Sequence, residues 1–332
     1  MDDFKKSFIF HSVLIEGQKQ RIQLKLNKII ENFNREILNN IDFEKSPQSN
    51  NRLLIQIMNE MYNKLSVEFK NELKELLIYE NDFYNLLLNN FVIEDKRAKK
   101  ATKETQNNVL LAALFFGNTL NKQLKNQQIV NTVNLQGKVL NLFNQKKFLE
   151  DDLNNFSKQL KATDDKKEKE IIEKKISETE NKIKTNTDIK KELLNTSLAA
   201  NSNQFKALID TGTTSSINKL RDDINIENEV LFYQYVAVLD NRTSEICRDL
   251  NGNVYRVDNK NAPRPPQHFR CRSSIYPLNY RGNKLTANDD LGEFSKQFEG
   301  TFVDEDGNFK LSKQYIISLE KALELEKKRF NI

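Results

Sequence analysis

Leu231-Phe-Tyr-Gln-Tyr-Val-Ala-Val-Leu239, followed by Asp240-Asn-Arg-Thr-Ser244, is where the chain changes character. The first run is aromatic and β-branched and reads as a strand, and the polar run after it as a turn into a short helix carrying Cys247. Asn251-Gly252 is a strong tight-turn signal, followed by a second strand, Val254-Tyr-Arg-Val257. A Pro-rich loop, Arg264-Pro-Pro-Gln-His268-Phe-Arg-Cys271, then leads into a third, Ser273-Ser-Ile-Tyr276. A small α+β module is expected here.

Upstream of residue 230 the pattern is helical. Leu14, Ile22, Leu26, Ile29, Ile30 and Ile37 recur at helical spacing, and Asp42 to Asn51, with Pro47, reads as a break. Leu54, Ile57, Met61, Leu65, Phe69, Leu73, Leu76 and Leu77, Phe83 and Leu87 continue mostly in three- and four-residue steps. Val109-Leu-Leu-Ala-Ala-Leu-Phe-Phe116 reads as the centre of the helical core, with Gly117 and Gly137 as bends or ends. His11, among Phe8, Phe10, Val13 and Leu14, reads as an ordinary packing residue.

Residues 145–191 are the most charged stretch. Leu149, Leu153, Phe156 and Leu160 form a heptad seam, Ala162-Thr-Asp-Asp165 interrupts it, and Ile172, Ile176 and Ile183 resume it. This predicts an antiparallel helical hairpin projecting from the body with its charges in solvent. Contact with DNA is the functional alternative, and the near balance of acidic and basic residues disfavours it. Toward the C-terminus, Thr301 to Phe309 reads as a small hairpin, and Ser312 as the cap of a last helix with Tyr315, Ile317, Leu319, Leu323 and Leu325. The expected fold is mainly α with a small α+β C-terminal module: a long helical body, a projecting charged hairpin and a short-stranded Cys/His module. The corresponding division is 1–144, 145–191, 192–284 and 285–332.

Composition narrows the function. The 332 residues are 38% hydrophobic and 30% charged, which suits long solvent-exposed helices better than one compact globule. A net charge of +5 over this length does not mark a nucleic-acid binder. No segment has the roughly 18–20 apolar residues of a membrane span. The N-terminus has no signal-peptide pattern, and two cysteines fit synthesis in a reducing compartment. There is no GxxxxGK[ST] phosphate loop, and Asp304-Glu-Asp-Gly-Asn308 misplaces glycine for an EF-hand.

Both cysteines and one of the two histidines fall in one short window, as Cys247, His268 and Cys271, with Pro263, Pro265, Pro266 and Pro277 in or beside it. Thiolate and imidazole are preferred zinc ligands, and His268-x-x-Cys271 lets one loop supply two of them. Asp240 is the best local candidate for a fourth ligand, ahead of Asp249 and Asp258. Three other readings stay open: cysteines packed as small hydrophobes, a Cys–His catalytic pair, or a disulfide formed outside the cell.

The run Val238-Leu-Asp240-x-Arg242-Thr243-Ser244-x-x-Cys247-x-x-Leu250-x-Gly252, followed by Pro265-Pro266-x-His268-x-x-Cys271-Arg272-Ser273, resembles the Mu F-like minor head proteins of tailed bacteriophages, also called head morphogenesis proteins. The resemblance covers about residues 185–280, including the upstream helix Leu193 to Asn203. It implies a non-enzymatic structural protein inside the phage head, near the portal, acting in head morphogenesis and in DNA packaging or ejection. Its implied partners are portal and capsid or scaffold proteins, and non-specific DNA, with no membrane and no small-molecule substrate. The implied location is the virion, and the host cytoplasm during assembly. Zinc, as a structural ion, is the cofactor the residues themselves point to. The competing class is a small metal- or thiol-dependent enzyme, nuclease-like, using Asp240, Arg242, Cys247, His268 and Cys271. Arg242 and Arg272 flank the cluster, and at least one of them is expected to brace the Pro-rich loop.

Overall fold

Pro47 opens a helix instead of ending one. Its missing N–H falls at the first helical position, where no intrahelical partner exists, and Ser46 Oγ caps the start by accepting the Ser49 N–H at 3.2 Å. The computed structural model describes residues 3–42, 45–91, 97–111, 118–278 and 316–329. Up to residue 227 its elements are the helices α1 (Asp3–Asn40), α2 (Pro47–Phe91), α3 (Lys103–Leu111), α4 (Leu120–Ala162) and α5 (Lys166–Glu227). Then come β1 (Phe232–Val236), α6 (Glu245–Leu250), β2 (Val254–Arg256), β3 (Ser274–Pro277) and α7 (Leu319–Arg329). The expected switch from helical body to short-stranded module is therefore observed at residue 232.

The chain forms two compact units. One comprises Asn27–Leu65 and Lys125–Phe205, parts of α1, α2, α4 and α5. Ile30, Ile37, Leu54, Met58, Leu65, Leu135 and Val139 are buried in it. Asn131 Nδ2 donates to the Tyr62 hydroxyl at 2.6 Å, and the Tyr62 ring meets Phe205 edge to face. α4 ends at Ala162 and α5 begins at Lys166, with Asp165 Oδ1 accepting the Lys167 and Glu168 N–H groups as an N-cap. The seam residues Leu149, Leu153, Phe156 and Leu160 are half-buried and Ile172 is buried. Gly137, expected at a bend or end, lies inside α4.

The other unit comprises Met1–Leu26, Ser66–Leu124 and Lys206–Ile332. It holds a three-stranded antiparallel sheet in the order β2-β1-β3, with Tyr233 opposite Tyr255 and Tyr235 opposite Ile275. Gly252, at φ 84°, supplies the left-handed residue that turns α6 into β2, and its N–H donates to Tyr235 O at 2.8 Å. Ile209, Ile217, Leu220 and Ile224 on α5 are buried in this unit, as are Tyr233, Ile275 and Tyr276 from the sheet. Phe8 of α1 meets the Tyr276 ring edge to face at 4.9 Å.

Some expectations need correction. Of the apolar run at 109–116, Val109 is buried but Leu111 is 64% exposed, and residues 112–116 lie outside the described residues. The last helix starts at Leu319 and is capped by Ser318, whose Oγ accepts the Lys321 N–H at 3.3 Å. Ser312, Tyr315 and the 301–309 hairpin lie outside the described residues. His11 does stack on Phe83, with ring centroids 3.4 Å apart. It also joins a buried ionic network, with Nε2 2.8 Å from Glu80 and Nδ1 2.9 Å from Glu326 of α7.

Candidate metal centre

Three short pieces of chain converge at the cluster. β1 supplies Tyr235, α6 supplies Cys247, and the Pro-rich loop supplies His268 and Cys271. Ser244 caps α6 in an extended conformation, its side chain accepting the Cys247 N–H at 3.3 Å. Arg264 ties the start of the loop to its surroundings. Its guanidinium donates to Val257 O, Asn259 O and Ala262 O at 2.7, 2.9 and 3.1 Å, and its Nε lies 2.8 Å from Asp222 of α5. The Tyr233 hydroxyl adds a bond to Pro263 O at 2.8 Å.

α5 fixes the far end of the loop. Thr211, Thr214 and Asn218 share one helical face through their spacing of three and four residues. Thr211 Oγ1 accepts the Arg270 N–H at 2.9 Å, at a residue with φ 61°, and Thr214 Oγ1 donates to Cys271 O at 2.8 Å. Asn218 donates to Ser273 O and accepts the Ile275 N–H. The Cys271 backbone is thus registered on a rigid helix.

The side chains meet closely. Cys247 Sγ is 3.2 Å from His268 Nε2 and 3.7 Å from Cys271 Sγ, and one ligand atom from each residue lies within 4.8 Å of the others. Two thiolates bound tetrahedrally to zinc at about 2.3 Å stand about 3.8 Å apart, whereas a disulfide needs about 2.05 Å. The observed sulfur spacing matches the edge of a zinc tetrahedron, and both cysteines are free thiols. His268 Nδ1 lies 2.7 Å from Phe269 O, a carbonyl that can only accept, and Nε2 is the ring atom that faces Cys247. The donor set and its spacing fit zinc.

Electrostatics favours a thiolate at Cys247. The hydrogen bond from Cys271 holds its pKa well below the thiol range against the opposing effect of burial, with help from Ser273, Tyr235 and Ser244. Cys271 is pushed up by the same bond and by burial. Burial, then the neighbouring cysteines, push the Tyr235 phenol up, keeping it protonated. Its hydroxyl can therefore donate to Cys247 Sγ at 3.3 Å, with Cys271 Sγ at 4.0 Å.

Asp240 is not brought into this group. Its two oxygens accept a bidentate grip from Arg272 at 2.6 and 2.7 Å, and Oδ1 also accepts the Arg242 N–H and the Thr243 hydroxyl. The Arg242 side chain is 70% exposed, with Nε 4.0 Å from Asp240. Asp249 is exposed, and exposed Asp258 pairs with Arg256 at 2.6 Å. Of the two flanking arginines, Arg272 is a brace, tying the end of the loop to the Asp240 turn. Arg264, which holds the loop itself, was not singled out by its sequence. Tyr235, beside both sulfurs, was legible only as a strand residue.

Chemically, the arrangement can hold a metal ion through three ligands. It can also form a thiolate–imidazole pair, with Cys247 2% exposed and Cys271 fully buried.

No curated protein and no solved structure matches the chain. Residues 169–276 match the model of a family described as Phage Mu protein F like protein, a segment that contains β1, α6, β2 and all three clustered side chains. Over that segment the chain resembles the phage Mu F-like family, and the match supports a phage head-morphogenesis protein.

Proposed function

We propose that this chain is a structural, non-catalytic protein of a tailed-phage head, docked near the portal, whose Cys/His module is fastened by a structural zinc ion. The observation that carries this reading is the coincidence of the family match with the cluster: Cys247, His268 and Cys271 all fall within the matched residues. Zinc would be held by the two sulfurs and His268 Nε2, and would neutralise thiolates that burial otherwise disfavours. The fourth position is left to water or a partner's donor, because Arg272 engages Asp240. In this reading the partners are portal and capsid or scaffold proteins, and DNA is touched only through weak, salt-sensitive phosphate contacts. The protein acts in head morphogenesis, in the host cytoplasm during assembly and inside the virion afterwards, with packaging or ejection of DNA as its attached roles. Among the described residues no helix is long and apolar enough to cross a membrane.

A second reading rests on the Cys247–His268 contact at 3.2 Å: a thiol- or metal-dependent, nuclease-like enzyme. One experiment separates the two. The full chain is sedimented with portal assemblies and assayed for nuclease activity with divalent metals. Co-sedimentation without turnover supports the structural reading. Activity that disappears in Cys247→Ser or His268→Ala overturns it.

A further inference from the structure

The last helix, α7, rests on its unit through one narrow face. Ala322 and Glu326, one helical turn apart, are fully buried, and Leu319, Leu323 and Leu325 are half-buried. On the opposite side Lys328 and Glu324 pair in solvent. α2, by contrast, is anchored in the same unit by Leu76, Leu77, Phe83 and Leu87, all fully buried. At the entry to α7, Gln18 of α1 donates to Ile317 O at 2.8 Å. Further along, the hold is ionic: Glu326 Oε1 lies 2.9 Å from His11 Nδ1 of α1 and accepts the Tyr79 hydroxyl of α2 at 3.3 Å. Glu326 Oε2 is buried with no hydrogen-bond partner among the described residues.

The charges at this spot balance when His11 is protonated on both nitrogens. His11 faces Tyr79 and Glu80 of α2 and Glu326 of α7, and Arg221 of α5 stands behind Glu80. Arg221 Nε is 2.6 Å from Glu80 Oε1, which commits that permanent cation to Glu80. The imidazole has Glu80 at Nε2 and Glu326 at Nδ1, 2.8 and 2.9 Å away. A neutral imidazole has one N–H and can donate to one of them, leaving the other carboxylate against a lone pair. Glu80 then keeps Arg221. Glu326 keeps the Tyr79 hydroxyl and is otherwise stranded as a buried charge.

We propose that α7 is a proton-governed clasp, docked while His11 carries both protons and detached when it gives one up. Stranding one partner of a buried ion pair is strongly destabilising, and a helix of 11 residues has little stability of its own in water. The loss therefore falls on α7, while the long helices α1 and α2 keep their apolar anchors. Burial lowers the His11 pKa, but Glu80 and Glu326 outweigh it and raise it above 6.5. Docking is thus complete below 6.5 and is lost as the pH rises through the raised value. Detachment uncovers His11 and Tyr79 and frees residues 319–329 with the rest of the unit still folded.

The test is hydrogen exchange of the full chain read by mass spectrometry from neutral to alkaline pH, each rate taken relative to the free-chain rate at the same pH. Protection of residues 319–329 is expected to fall at least about tenfold as the pH rises, while peptides from α2 and the sheet keep theirs. His11→Gln, which carries no charge, should leave α7 poorly protected already at neutral pH. Glu326→Gln removes the charge from the clasp itself, so protection of α7 should no longer change with pH. That second variant alters the detachable helix alone and reads out even if His11→Gln fails to fold. Protection of α7 that is indifferent to pH in the wild type, absent at every pH, or lost only together with α2 overturns the proposal. So does a pH dependence that survives in Glu326→Gln.

Discussion

His11 Nε2 and Glu80 Oε2 are 2.8 Å apart with both side chains fully buried, and Glu326 Oε1 lies 2.9 Å from the other ring nitrogen. An imidazole with a carboxylate at each nitrogen is biased toward its cationic form. Burial opposes that charge, but Glu80 and Glu326 outweigh it and raise the pKa above the usual 6.5. Glu80 behaves oppositely: burial pushes it up, yet Arg221, whose Nε is 2.6 Å away, and His11 hold it down to about 2. Tyr79 donates to Glu326 at 3.3 Å and completes the cluster.

Stability should therefore fall on both sides of neutrality. Glu80 has a depressed folded-state pKa, so its contribution is present above about 4.5 and is lost as the pH falls from there toward about 2. His11 has a raised one, so its contribution is complete below 6.5 and is lost as the pH rises through the folded-state value. Melting temperatures measured from acid to alkaline pH check this. In His11→Gln the alkaline loss should shrink, and an unchanged alkaline limb would contradict the assignment.

Removing one partner of a buried ionic network leaves the other uncompensated. Arg221→Met strands Glu80 and removes the bond to Ser274, and is expected to destabilise the fold by about 3–5 kcal/mol in urea titration. The exposed pair Arg256–Asp258 is the control, and its disruption should leave the unfolding midpoint almost unchanged.

Arg272→Lys should lower the melting temperature, because lysine cannot reproduce the bidentate bond to Asp240; a loss of about 1–2 kcal/mol is expected. Arg242→Lys, at a side chain 70% exposed, should leave it unchanged. Equal effects from the two would remove the distinction between brace and surface residue.

Tyr235→Phe separates metal binding from thiolate support. The phenol oxygen lies 3.3 Å from Cys247 Sγ and is not needed as a ligand, so under the zinc proposal metal uptake should match the wild type while stability falls by about 1 kcal/mol. Loss of the metal in this variant would place the hydroxyl among the ligands.

The sequence exposed most of the architecture because its signals are local. Heptad and helical spacing marked α1, α2 and the α4–α5 turn at Thr163 to Asp165, and β-branched alternation with Asn251-Gly252 marked the sheet. The convergence of Cys247, His268 and Cys271 was legible because these residue types are rare in this chain. What depends on distant partners was not. His11 looked like packing because Glu80 and Glu326 are 69 and 315 residues away in sequence. Asp240 looked like a ligand because nothing local shows that Arg272 takes both its oxygens. Arg264 and Tyr235 carry no motif of their own, and only the folded loop gives them their roles.

The most direct test of a zinc-fastened module is the metal content of the full chain, purified without chelator and measured by inductively coupled plasma mass spectrometry. One zinc per chain is expected, falling to none in Cys271→Ser. A chain with both thiols reduced that carries no zinc and takes none up on titration would contradict it, leaving Cys247, His268 and Cys271 as a packed, metal-free cluster.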